Sequence, residues 1–161
     1  MSTAMSQSTE HATLNIERHL KASVARAFRA WSNADAKRKW FACHDNWISI
    51  DYTLDFRQGG LERNHVADSD GLLHAYEARY IDIVPDARII YAYDMKLGEK
   101  RISVSLATIT FEAEPGGTRM LFTEQLVFLD GYSDDGLRLQ GTEMLLDHYE
   151  LYLEREESGT H

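Results

Sequence analysis

Residues 133–155 read SDDGLRLQGTEMLLDHYELYLER, and the fold turns on how this stretch is understood. Ser133 and the Asp134-Asp135 pair mark a helix start, with acids near the positive end of the helix dipole. At about 100° per residue, Leu137, Gly141, Met144, Leu145, His148 and Tyr152 form one stripe, expected to face a sheet. Leu139, Leu146, Tyr149 and Leu153 form a second stripe on nearly the opposite side. The helix is about five to six turns long, enough to cross the full width of a sheet.

Upstream of it the period is two. Residues 13–20 alternate Leu14, Ile16 and Leu20 against Thr13, Asn15, Glu17 and His19, a strand with one wet face. Ser23 then offers a cap to a short helix carrying Val24, Phe28 and Trp31. Asn33-Ala34-Asp35 breaks it before a second short helix over residues 37–41. Six strand-like segments follow at 47–56, 61–66, 72–84, 88–93, 101–112 and 118–128. In the first of these, Ile48, Ile50, Tyr52, Leu54 and Phe56 share a face. Gly59-Gly60, Asp70-Gly71, Pro85-Asp86, Gly98 and Pro115-Gly116-Gly117 supply the turns, which implies an antiparallel meander.

Composition bounds the rest. The 161 residues are 43% hydrophobic and 27% charged, the balance of one globular domain. Residues 1–11 are expected to be a flexible tail, 12–155 a single domain, and 156–161 a second tail. Seventeen Lys and Arg against 26 Asp and Glu give a net charge of −9, which argues against a nucleic-acid partner. No apolar run nears the roughly 18 residues of a membrane span, and no signal peptide is evident. The single cysteine, Cys43, excludes an internal disulfide and fits a reducing compartment, so a soluble cytoplasmic protein is expected.

One strand, two short helices, six strands and one long helix make an α+β protein. A sheet that wide must curve, and only the last helix can cover its concave face. Such a grip leaves space between sheet and helix, and that space is a pocket.

This order of elements resembles the helix-grip fold of the START-like (SRPBCC) superfamily. Residues 24–31 followed by Arg38-Lys39-Trp40-Phe41 are similar to its first helix and aromatic corner. Residues 55–60, DFRQGG, resemble its strand exit, and 80–89, YIDIVPDARI, its central hairpin. Gly117-Thr118-Arg119, Thr123-Glu124-Gln125 and residues 141–153 match its last hairpin and closing helix. The subgroup they resemble is the bacterial relatives of the heat-shock-protein-90 ATPase activator. The resemblance implies a ligand cavity under the long helix, without fixing a chemistry.

Alternation then nominates the lining. If Ile109 and Phe111 face the cavity, so do Ser103, Ser105 and Ala107. By the same rule Met120, Phe122 and Glu124 share a face, as do Ile89, Tyr91 and Tyr93, with Glu62 and Asn64 joining them. His148 reaches the cavity from the helix stripe. The expected site is therefore Glu62, Asn64, Tyr91, Tyr93, Phe122, Glu124 and His148. Acids in such a place must find donors or take up protons. They either hydrogen-bond a polar ligand group or act as base and acid, or else pair with tyrosines or Arg79 and only stabilise the sheet.

His65 and His74 flank one turn, but no Cys or His spacing is that of a zinc site, so no metal or other cofactor is expected. Cys43 beside His44 and Asp45 defines no triad, and Lys37-Arg38-Lys39 reads as the wet side of a short helix. The leading function is a binding protein for a small hydrophobic or amphipathic molecule. The alternatives are a cofactor-independent cyclase or hydratase using Glu62 or Glu124, and a chaperone ATPase co-regulator. Against the last, no room is expected for the extra N-terminal domain of the full-length eukaryotic activators. The second helix stripe is either covered by the short helices or left to self-association, and the reading tips toward a homodimer.

Overall fold

The computed structural model describes residues 7–42 and 46–159. Cys43, His44 and Asp45 lie outside the described residues, as do residues 1–6 and 160–161. The elements are β1 (Thr9–Leu20), α1 (Val24–Ser32), α2 (Ala34–Phe41), β2 (Ile48–Leu54), β3 (Leu61–Ala67), β4 (Leu73–Val84), β5 (Arg88–Leu97), β6 (Lys100–Glu114), β7 (Gly117–Leu129) and α3 (Leu137–Gly159). Seven strands form one antiparallel sheet in the order β1-β7-β6-β5-β4-β3-β2. This is the helix-grip α+β arrangement. No helix among the described residues is long and apolar enough to cross a membrane.

The first strand starts earlier than its hydrophobic alternation. Residues 9–12 carry no apolar pattern, yet they pair with β7 from Thr9↔Leu129 to Ala12↔Leu126. Backbone hydrogen bonds, not burial, place residues 9–11 in the sheet. At the other end of β1, the β6–β7 turn comes so close that a Cβ on Gly117 would stand 1.8 Å from the Leu20 carbonyl oxygen. Only a residue without a side chain fits there.

Two capped helices then turn the corner that carries the chain from one sheet edge to the other. Ser23 accepts the Arg26 N–H at 3.2 Å and starts α1. Asn33 serves both helices: its N–H satisfies the Arg29 carbonyl at 2.9 Å, and its side chain accepts from Ala36 N at 2.9 Å. The break is thus one residue wide, and α2 begins at Ala34 rather than Lys37.

The alternation within residues 47–56 fails at one place. Ser49 pairs with Val66 and Asp51 with His65, so Ile50 is an extra residue, a β-bulge. The bulge reverses the phase. Tyr52 faces the core while Ile48 and Ile50 are exposed on the edge strand.

The long helix is rotated from its expected setting. Arg138, Thr142, Leu145, Leu146, Tyr149 and Leu153 lie inward, whereas Leu137 and Met144 are 57% and 50% exposed. Of the two outcomes open for the second stripe, cover by the short helices is the one seen for Leu146, Tyr149 and Leu153, which are buried against α1 and α2, while Leu139 is 40% exposed. Tyr149 lies 5.7 Å from the Trp31 ring and 4.9 Å from Trp40, and donates to the Ala27 carbonyl at 2.7 Å. The helix also starts at Leu137 rather than Ser133, since Asp135 and Gly136 hold left-handed φ values of 51° and 79°. Its far end runs past Arg155 to Gly159. Arg18 of β1 reaches Asp147 at 2.8 Å and Glu150 at 2.6 Å, and Arg26 reaches the Leu153 carbonyl at 2.7 Å. These bonds hold the second half of α3 down while its first half spans the open part of the sheet.

Candidate functional site

Beneath that first half lies a cavity of about 450 Å³, walled by β3–β7, the end of α2 and the inward face of α3. Its floor is aromatic, with Trp31, Trp40, Phe41, Tyr91 and Phe122 in the lining. Trp47, His74, Leu97 and Tyr132, from strand ends and loops at one end of the sheet, complete the lining there.

Strand alternation explains which side chains arrive. Tyr91, Tyr93 and Met95 project inward from β5, and Phe122 and Glu124 from β7. Ser103 and Ser105 face the same way from β6 and are fully buried. One polar cluster interrupts this surface. The Tyr93 hydroxyl donates to Glu124 Oε2 at 2.7 Å. Arg138 Nη1 donates to Glu124 Oε2 at 3.2 Å, to the Tyr93 oxygen at 3.1 Å and to Ser105 Oγ at 3.3 Å. Its Nη2 donates to Ser103 Oγ at 2.6 Å. Burial opposes the guanidinium charge, but Tyr93 and Glu124 outweigh it and raise the Arg138 pKa further. Burial first, then Glu124, pushes the Tyr93 hydroxyl above its ordinary value, so it remains a donor.

Five of the expected residues line the cavity: Asn64, Tyr91, Tyr93, Phe122 and Glu124. Two do not. His148 is half-buried away from the lining: Leu137, Gly141 and Leu145 of its stripe reach the cavity, but Met144 and His148 lie on the side of α3 turned from it. Glu62 shares the inward sheet face but is closed off in a set of its own. It accepts from Lys37 Nζ and Tyr80 at 2.8 Å on Oε1, and from Tyr52 at 2.7 Å on Oε2. Arg79 is exposed and partners neither acid.

Lys37 corrects a second expectation, for it is 0% exposed rather than on a wet face. Its ammonium lies 4.3 Å from the Phe41 ring centroid, 5.0 Å from Trp31 and 5.7 Å from Tyr91, directly behind the aromatic floor. Burial pulls its pKa down, and Glu62 pulls the other way. Lys37 and Arg138 are the residues that the sequence reading missed. A signal existed for each: Lys37 precedes Trp40 and Phe41 by three and four positions, and Arg138 precedes Thr142 and Leu145 by four and seven.

His65 and His74 fall on opposite faces of the sheet, since Val66, not His65, pairs with His74. His65 meets Glu77 at 3.0 Å. His74 pairs with Asp68 Oδ2 at 3.0 Å and stacks on Trp47 at 4.4 Å. Among the described residues, no three His, Cys, Asp or Glu side chains gather as a metal site. The hydrogen bond from His74 lowers the Asp68 pKa, helped by the Leu72 and Asp70 N–H groups and opposed by burial. A depressed carboxylate contributes stability above its unfolded pKa and loses it as pH falls through the folded value. Asp68→Asn is therefore expected to flatten the thermal-stability profile below about pH 4. An unchanged acid limb would show that the Asp68–His74 pair contributes nothing.

The family described as "Activator of Hsp90 ATPase homolog 1-like protein" matches residues 21–154. A putative uncharacterized protein from Rhizobium leguminosarum, of solved structure, is 73% identical with a TM-score of 0.91, over 92% of this chain and 98% of that one. A second, from Rhizobium loti, is 34% identical with a TM-score of 0.84, over 90% and 99%. The AHSA1-like protein from Aeromonas hydrophila shares the fold at 20% identity, with a TM-score of 0.68 over 91% and 94%. None of the curated proteins matches.

Proposed function

We propose that this chain, which belongs to the Activator of Hsp90 ATPase homolog 1-like family, binds a small amphipathic molecule in the cavity under α3. The observation that carries this reading is the cavity itself: an aromatic space of about 450 Å³ with polar groups gathered at one cluster. Protein interiors are close-packed, and an empty apolar void forfeits dispersion contacts along its whole wall. A ligand restores them, gaining about 25 cal/mol for each Å² of apolar surface removed from water. The polar cluster gives such a molecule one preferred orientation, its apolar body on Trp31, Trp40 and Phe122 and its polar end at Arg138 and Glu124. The lone cysteine suits the reducing cytoplasm as the place where binding occurs.

Native mass spectrometry of protein purified without added ligand, followed by ligand-observed NMR with a set of bicyclic and tricyclic compounds, tests the reading. Leu145 lies half-buried in the cavity wall on α3. Leu145→Trp is expected to fill the space and abolish binding while leaving the melting temperature within a few degrees. Retained binding in that variant would move the site elsewhere.

A further inference from the structure

We propose that the cavity selects a ligand whose polar end is uncharged and donates hydrogen bonds, as a hydroxyl does, to Glu124 and Asn64. This rests on the binding reading above and names the class of molecule bound. Among the described residues, the side chains in the cavity lining that carry charge at pH 7 are Arg138, Glu124 and Asp134. Arg138 is no free anion receptor. Its guanidinium is matched by Glu124 at 3.2 Å and has donors committed to Tyr93, Ser105 and Ser103. Asp134 is held at the helix start, where both its oxygens accept the Arg138 backbone N–H, at 3.0 and 3.2 Å.

An anionic head drawn to Arg138 would lie beside Glu124, a carboxylate that is 1% exposed, and would meet Asp134 as well. Neither repulsion is screened in an apolar enclosure. An ammonium head would compete with Arg138 for the same carboxylate. A hydroxyl disturbs neither charge. The Tyr93 and Arg138 bonds both fall on Glu124 Oε2, and Oε1 is the oxygen to which the ligand donates.

A second acceptor points the same way. Asn64 is 7% exposed and lines the cavity; its amide donates to the Phe41 carbonyl, while its Oδ1 is buried with no hydrogen-bond partner. The Tyr76 hydroxyl and the Trp31 Nε1–H in the same wall also lack a partner. Buried polar atoms in folded proteins are seldom left so, and a ligand hydroxyl or N–H satisfies the Asn64 oxygen. Glu124 and Asn64 ask for donors and Trp31 for an acceptor; a hydroxyl serves as both, whereas an anion donates nothing.

The test compares three probes sharing one ring system at pH 7: 1-naphthol, 1-naphthoate and 1-naphthylmethylammonium, titrated by calorimetry and tryptophan quenching. The wild type is expected to bind 1-naphthol at least about ten-fold tighter than either charged probe. Glu124→Gln leaves Arg138 unmatched, and 1-naphthoate is expected to overtake 1-naphthol. Should that variant not fold, Arg138→Gln gives the converse, with the ammonium probe gaining and 1-naphthoate falling further. Equal binding of the three probes, a charged probe binding tightest to the wild type, or an unchanged order in a folded variant overturns the proposal and leaves the binding reading standing. No binding of any probe overturns both.

Discussion

Lys37→Met is expected to lower the free energy of unfolding by about 3–5 kcal/mol, among the largest losses any single substitution will cause here. The reason is what stays behind. Glu62 is 1% exposed, and its Oε1 bond to Lys37 at 2.8 Å is its match in charge. Tyr52 and Tyr80 would go on donating to it, but two hydroxyls do not neutralise a carboxylate. Glu62→Leu should cost a similar amount by stranding the ammonium among Trp31, Phe41 and Tyr91. The double variant Lys37→Met with Glu62→Leu should lose less than the sum of the singles, since removing both ions removes the cost of burying them, although the Tyr52 and Tyr80 hydroxyls lose their acceptor. Urea denaturation measures all three, and a domain of this size loses roughly 2–4 °C of melting temperature per kcal/mol. If the double variant proves as unstable as the sum of the singles, the pair is not the source of the effect. The pair pins α2 to β3, and α2 carries Trp40 and Phe41 into the cavity floor, so the same variants should weaken ligand binding.

Tyr149→Ala is expected to cost about 3–5 kcal/mol, the loss of a large aromatic group packed between Trp31 and Trp40. Tyr149→Phe should cost only about 1 kcal/mol, the net value of the bond to the Ala27 carbonyl at 2.7 Å. The two together separate packing from hydrogen bonding. Hydrogen exchange should show the first half of α3 opening in the alanine variant while β6 and β7 stay protected, because the sheet holds its own ladder. Equal losses from both substitutions would mean that the hydroxyl, not the ring, fastens the helix.

The contrast between these residues and the strands shows where local information stops. Period-two alternation and the turns at Asp70-Gly71, Pro85-Asp86 and Gly116-Gly117 are properties of a few neighbouring residues. They determined the antiparallel meander of β2 to β7 and the inward faces of β3, β5, β6 and β7, and with them Asn64, Tyr91, Tyr93, Phe122 and Glu124, but not the place of β1 beside β7. The one alternation that misled, in β2, was shifted by a bulge that no residue type announces.

Tertiary structure decided the rest, through partners distant in the chain. Apolar residues surround α3 on nearly all sides, so its own sequence allowed two settings, and packing against Trp31 and Trp40 selected one. That choice sent His148 outward and brought Arg138 in. A lysine or arginine is written into a sequence as a surface residue until a buried carboxylate is placed against it. Glu62 meets Lys37 across 25 positions and Glu124 meets Arg138 across 14. Charge can be buried only where its match is buried too, and that condition belongs to the assembled fold rather than to any segment of it.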